Sequence, residues 1–282
     1  MREFAGKTAF VTGGAAGIGL ALGRAFARSG MKVMLADIET DALQAAVKSL
    51  QEISPDIRGT ICDVADAQSV ERAAQAAFDA FGRVHVVCNN AGVAAGGGID
   101  HISLDNWRWV IDVNLMGVLH GIKSFLPHIR AHGEGGHIVN TASMAGMQAG
   151  LGFSPYGASK FAVVGMSEGL CHQLKPLGIG ISVLCPSFVR TGIGESGQPA
   201  RALWPVAAAR SRQSGSGDGG RNRQADRGGA RSRRGRRARA RRDPGRRALY
   251  FHPSRHAGRG RGAFRRHFGR DGWGFTPIIL LT

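Results

Sequence analysis

"KTAFVTGGAAGIGLALGRAFA", residues 7–27, decides how the rest of this chain is read. Lys7–Thr12 is a short apolar run with β-branched residues, the pattern of a strand buried on both faces. Gly13, Gly17, Ile18 and Gly19 follow at once and open an amphipathic helix over Gly17–Arg28. Gly13 permits a tight turn. Gly17 and Gly19 let backbone approach backbone, or a phosphate, without a Cβ in the way. A helix beginning there offers unpaired N–H groups and the positive end of its dipole to an anion. Glycine spacing alone is a weak signal in a chain with 43 glycines; its strand–turn–helix setting gives it weight.

The alternation continues outward. Met31–Ala36, Arg58–Cys62, Val84–Cys88, His137–Thr141 and Ile179–Cys185 read as further strands buried on both faces. Helices are expected over Asp41–Glu52, Ala67–Phe81, Leu104–Ala131 and Tyr156–Pro176. Strand, helix, strand at this interval implies right-handed crossovers and a doubly wound α/β domain, its parallel sheet covered on both sides.

Asp37 closes the second strand, where a carboxylate can accept hydrogen bonds from an adenosine ribose; a helix-capping aspartate is the competing reading. On the first reading its charge repels a 2′-phosphate. No Lys or Arg stands at 13–19 or 38 to offset it, so NAD(H) is the expected cofactor. In "SPYGASKFA", Tyr156 and Lys160 are four apart and share a helix face. A free phenol titrates at about 10. A neighbouring ammonium and a positively charged nicotinamide are expected to lower that value and make Tyr156 a general acid/base. Ser143, at the end of the "GHIVNTAS" strand, can hold a substrate oxygen as charge shifts onto it.

In order and spacing these pieces resemble the short-chain dehydrogenase/reductase family over roughly the first 191 residues. The motifs are "TGGAAGIG", the acid after the second strand, "CDV", "NNAG", "VNLMG", the serine, "YGASK" and "PSFVRT". The resemblance implies a Rossmann-type fold and a hydride transfer between NAD(H) and an alcohol or ketone. It implies that Asp63 and Val64 border the adenine, and that Asn89, Ala91 and Gly92 line the cofactor site and steady the central sheet. Asn114 would complete a tetrad with Ser143, Tyr156 and Lys160, Lys160 would also bond the nicotinamide ribose, and Thr191 the carboxamide. Ser187 stands where the family usually has glycine. The two long helices would pair with a neighbouring subunit, giving a homo-oligomer, a dimer or tetramer.

Val93, Ala94, Met144, Ala145, Met147, Leu151, Phe153 and Phe188 are the residues expected to edge the substrate pocket. Being mostly apolar or small, they suit a hydrophobic secondary alcohol or its ketone. Cys62, Cys88, Cys171 and Cys185 have no zinc-like spacing and read as buried, reduced thiols of a cytoplasmic protein. The ten histidines show no metal-like spacing either, and His128 and His132 are expected on a helix surface, so no metal is expected. No apolar run reaches the length of a membrane span.

The net charge of +17 sits entirely at one end. Residues 1–195 carry 15 Lys+Arg against 16 Asp+Glu; residues 196–282 carry 22 Arg, no Lys and 4 acids. The division expected is a catalytic domain over 1–195 and an Arg/Gly-rich tail over 196–282 too poor in apolar periodicity to order itself. One reading of the tail is a polyanion-binding arm, which predicts salt-sensitive nucleic-acid binding. Another is a reading frame displaced shortly after Glu195, which leaves an enzyme fragment that binds NAD with impaired turnover. The frame reading is favoured by Arg without Lys, since GC-rich DNA encodes Arg as CGN and Gly as GGN. Shifted by one base, permitted codons from His252 onward can spell "THPDTRAVVEERFAAILAAM", an amphipathic helix with an N-cap, the middle base being free in many triplets. The coding DNA over codons 185–282, read in all three frames, separates the two.

Overall fold

In the computed structural model, the residues described are 3–148, 154–187 and 193. Among these residues run six strands and six α-helices: β1 (Thr8–Thr12), α1 (Gly17–Arg28), β2 (Lys32–Asp37), α2 (Thr40–Gln51), β3 (Ile57–Ile61), α3 (Ala67–Phe81), β4 (Val86–Asn89), α4 (Leu104–Ile111), α5 (Gly117–His132), β5 (Gly136–Thr141), α6 (Ser154–Leu174) and β6 (Ile179–Leu184). All pairings are parallel, in the order β3-β2-β1-β4-β5-β6. This is the Rossmann-type, doubly wound sheet expected.

Strand alternation builds two core layers. Ala9 and Val11 of β1 face the layer that holds Val33, Leu35, Leu43 and Leu50. Phe10 faces the other layer, with Val87, Phe125, Ile129, Ile138 and Val163. The Phe10 and Phe125 rings lie 4.5 Å apart between centroids, tying α5 to the centre of the sheet. The strand order reverses direction at the β1/β4 boundary. Loops leaving the C-terminal ends of these strands therefore diverge and leave a crevice, the usual ligand position in open α/β sheets.

Two expectations need correction. β3 is not buried on both faces: as the edge strand it buries Ile57 and leaves Arg58, Gly59 and Ile61 exposed. The helix expected over Leu104–Ala131 is interrupted at Asp112–Met116, which winds as a π-helix. A π turn takes up one extra residue and re-aims the side chains that follow. Here it contains Asn114, fully buried and bonded to the chain leaving β4. The long-range bonds of that side chain account for a break that helical periodicity cannot show. All four cysteines are buried, and burial pushes the Cys62 and Cys88 thiols up to about 12. Among the described residues no helix is long and apolar enough to cross a membrane.

At the N-terminal edge of the sheet, away from the crevice, His85, His132 and Glu134 converge. This corrects the placing of His132 on the surface: it is half-buried, and its Nε2 contacts the Val84 carbonyl at 3.1 Å. His128 is exposed and stacks on Phe78. The ligand-capable atoms of the trio are already engaged. Thr8 N–H donates to His85 Nδ1 (3.1 Å), which places the ring proton on Nε2, facing Glu134 at 2.8 Å. Glu134 N–H donates to His132 Nδ1, and Arg83 pairs with the Glu134 carboxylate. A metal would have to break these bonds beside a guanidinium, so the cluster is a hydrogen-bonded clasp.

Burial holds the His85 pKa below its ordinary 6.5, outweighing the Glu134 hydrogen bond that raises it. The folded state thus prefers neutral His85. Its contribution is present above pH 6.5 and is lost as pH falls from there through the lower folded value. His137, also held low by burial, acts in the same sense. Urea midpoints are expected to fall between pH 7.5 and pH 5. His85→Leu should flatten that slope while costing about 1–3 kcal/mol at pH 7.5, because it leaves Thr8 N–H without its acceptor. An unchanged slope would contradict this account.

Candidate active site

The turn between β1 and α1 has the shape its glycines imply. Gly13 and Gly17 adopt positive φ (63° and 52°). A Cβ on Gly19 would overlap the Gly13 carbonyl oxygen and lie 2.7 Å from Asn90 Nδ2. The first turn of α1 has no side-chain cap and no acidic residue. Its N–H groups are therefore left for an anion, and the turn fits the pyrophosphate of a dinucleotide. Ile18 is half-buried behind it.

Thr12 locks the turn to the neighbouring loop. Its hydroxyl accepts from Asn90 N–H (2.9 Å) and Ala91 N–H (3.0 Å), while Asn90 Nδ2 donates to the Thr12 carbonyl (3.0 Å). The β1 and β4 exits are thereby held together, which brings Gly13, Ala91 and Gly92 to one crevice. Asn89 is separate. Its side chain lies in the core, donating to Asn140 Oδ1 at 2.8 Å and abutting Gly121, so that side chain steadies the sheet.

Asp37 sits half-buried at the end of β2. One carboxylate oxygen accepts from Ala15 N–H (2.9 Å) and the other from Glu39 N–H (3.2 Å). These bonds fix its orientation beside the glycine turn, and each oxygen keeps a further lone pair. Asp63 turns back on its own loop, accepting from Ala65 N–H (2.9 Å). The Val64 carbonyl is held by His120 Nδ1 (2.9 Å), a contact from α5 without a sequence signal.

The tetrad residues come from three places: the π turn, the β5 exit and α6. Ser143 follows β5, and its Oγ accepts from Ala145 N–H (3.1 Å). The same hydroxyl acts on the neighbouring Tyr156 phenol in the direction that lowers its pKa. Lys160 lies one turn along α6, buried, its Nζ 5.6 Å from the Tyr156 ring centroid and donating to the Thr141 carbonyl at 2.8 Å. Asn114 Oδ1 accepts from Val93 N–H (2.8 Å), and its Nδ2 donates to the Val93 carbonyl (2.9 Å) and Ser159 Oγ (3.1 Å). A Cβ on Gly92 would stand 3.2 Å from Asn114 Oδ1 and 3.4 Å from Lys160 Nζ, so the second glycine-dependent approach lies in this crevice too.

Electrostatically the lysine alone does not lower the phenol. The Tyr156 phenol is pushed above 10, not below it: burial raises it, and the Ser143 hydroxyl only partly offsets that. Burial also lowers Lys160 to about 8. An ammonium bonded to a carbonyl and itself desolvated does not overcome the phenol's loss of water. Val93, Met144 and Met147 are partly buried against the core beside the tetrad, with Ala94 and Ala145 in the same loops. Thr191, Leu151, Phe153 and Phe188 fall outside the described residues, as does the tail over 196–282. Thr12, Ser159 and the Thr141 carbonyl were not singled out in the sequence. Thr12 borders the glycine run, but the other two have no local mark.

A glycine turn at the switch point of a parallel sheet, with Tyr, Lys and Ser converging beside it, defines a dinucleotide-binding oxidoreductase. The chain belongs to the short chain dehydrogenase family, whose model matches residues 7–202. A short chain dehydrogenase/reductase from Burkholderia phymatum, solved in complex with NAD, is 43% identical with a TM-score of 0.70, covering 73% of this chain and 75% of that one. C alpha-dehydrogenase from Sphingobium sp. (strain NBRC 103272 / SYK-6) is 34% identical over 197 residues, 70% of this chain. The match takes in 65% of that relative's length, just under two thirds. 1-Deoxy-11-beta-hydroxypentalenate dehydrogenase from Streptomyces exfoliatus is 38% identical over 187 residues, 66% of this chain and 68% of that protein.

Proposed function

We propose that this chain transfers a hydride between NAD(H) and a hydrophobic secondary alcohol or ketone, with residues 1–195 as the catalytic domain. The carrying observation is buried Lys160, its Nζ 5.6 Å from the Tyr156 ring centroid and 3.4 Å from where a Gly92 Cβ would stand, with Ser143 at the adjoining β5 exit. When bound, the cofactor supplies the hydride acceptor or donor. Gly13, Gly17, Ile18 and Gly19 would hold its pyrophosphate, Asp37 its adenosine ribose, Asp63 and Val64 the adenine edge, and Ala91, Gly92, Lys160 and Thr191 the nicotinamide half. Ser143 Oγ holds the substrate oxygen, and Tyr156 takes the hydroxyl proton in oxidation or returns it in reduction. A phenol above 10 is a ready proton donor at neutral pH. As a base it needs added positive charge nearby, so oxidation should gain more than reduction as pH rises.

NAD(H) over NADP(H) is supported by the Asp37 carboxylate, held in place by two backbone donors with no Lys or Arg at 13–19 or 38. The solved relative in complex with NAD accords with this. The hydrophobic substrate is supported by Val93, Met144 and Met147, and by a relative named for a pentalenate alcohol. A homo-oligomer is supported by Leu104 on α4 and Phe161 on α6, 71% and 44% exposed. The test is a titration of both reduced cofactors, followed by turnover on a panel of apolar secondary alcohols. NADH is expected to bind about tenfold or more tighter than NADPH, since a like-charge contact is worth a kcal/mol or more at a partly buried site. Equal affinities would remove the Asp37 argument. No turnover with any apolar alcohol, despite bound NADH, would favour the impaired fragment.

A further inference from the structure

Ser159 stands between the two halves of the tetrad. It is fully buried on the first turns of α6, one residue before Lys160. Its hydroxyl donates to the Tyr156 carbonyl at 2.7 Å and accepts from Asn114 Nδ2 at 3.1 Å. The same Asn114 amide brackets Val93 N–H and C=O, at the loop that edges the crevice. One continuous chain of hydrogen bonds therefore runs from the β4 exit, through the π turn, to the backbone of the tyrosine.

We propose that Ser159 is a positioning residue, which sets the distance and orientation of Tyr156 relative to Lys160 and Ser143 by tying the first turn of α6 to Asn114. The inference rests on the reading of Tyr156 as the acid/base, but its first test does not require turnover. An α6 helix needs no serine here, because alanine is the better helix former and the Tyr156 carbonyl already has a helical donor. What the hydroxyl adds is the link across 45 residues to the π turn. Ser167, the other fully buried serine of α6, donates to Val163 (2.7 Å) and accepts from Asn140 (2.9 Å). That bond ties the helix to β5 and leads nowhere near the phenol, so Ser167 serves as the internal control.

The chain has two tyrosines, so a Tyr250→Phe background leaves Tyr156 as the sole phenol. Its phenolate absorbance is titrated, below the alkaline unfolding transition, in that background alone and with Ser159→Ala, Ser159→Thr or Ser167→Ala. Ser159→Ala is expected to displace the midpoint by roughly half a pH unit or more, since the phenol's distance to the Lys160 charge and the Ser143 hydroxyl changes. Ser159→Thr, which keeps the hydroxyl, should return it toward the parent, and Ser167→Ala should leave it unmoved. In turnover, Ser159→Ala should lower kcat roughly 10-fold to 10²-fold with NADH affinity within about twofold of the parent. An unmoved midpoint in Ser159→Ala, or an equal displacement in Ser167→Ala, overturns the proposal. Turnover retained in Tyr156→Phe would instead remove the acid/base reading, and the titration would still decide whether Ser159 positions the phenol.

Discussion

Tyr156→Phe is expected to reduce turnover by roughly 10²–10⁴-fold, the range over which a positioned general acid/base acts. NADH affinity should stay within about threefold, because only one oxygen is removed and the glycine turn and Asp37 lie on other elements. The remaining ring keeps its packing, and Ser143 Oγ keeps its bond from Ala145 N–H. Ser143 is half-buried, so its hydroxyl can meet water where the phenol was, and stability should change little. Steady-state rates and an NADH fluorescence titration on the same preparation check this. Equal loss of rate and affinity would point to a general defect. Undiminished turnover would remove Tyr156 from the chemistry and with it the proposed mechanism. The raised phenol adds a pH signature: reduction should hold its rate to high pH, whereas oxidation should climb with pH until the base form dominates.

The second large effect belongs to Gly19. An alanine Cβ there would overlap the Gly13 carbonyl oxygen and come within 2.7 Å of the carbonyl carbon and of Asn90 Nδ2. None of these is the loose end of a flexible side chain. Asn90 is itself pinned by Thr12, so the strain has to open the turn or displace α1. Gly19→Ala is expected to cost about 1–3 kcal/mol of stability, as overpacking does. It should also weaken NADH binding by roughly 10²-fold, since the phosphate-facing N–H groups and the β1 turn no longer meet at one place. Thermal unfolding and NADH titration read the two losses separately. Unchanged affinity with reduced stability would mean that the pyrophosphate is held elsewhere.

How much of this was legible beforehand differs by residue. The glycine turn, Asp37, Ser143, Tyr156 and Lys160 were readable because each lies at a strand end or on one helix face, positions that local periodicity marks. Thr12 and Ser159 act through partners 45 to 79 residues away; Thr12 borders the glycine run, but neither position shows locally which partner it holds. The His85–His132–Glu134 clasp eluded spacing rules for the same reason, since its members come from the β4 entrance, the end of α5 and the turn before β5.

The sequence by itself determined the order of strands and helices, the parallel doubly wound class and the place of the glycine turn. These follow from periods of two and 3.6 residues and from where glycine permits close approach, which are local properties of the chain. Tertiary structure alone decided that β3 is an exposed edge, that the helix through Asn114 is broken by a π turn, and that Asn89 faces the core. It also decided that Tyr156 titrates above 10. Each of these depends on what packs against the residue from far along the chain: burial sets the phenol's solvation, and long-range hydrogen bonds outweigh the local preference of a helix to run straight.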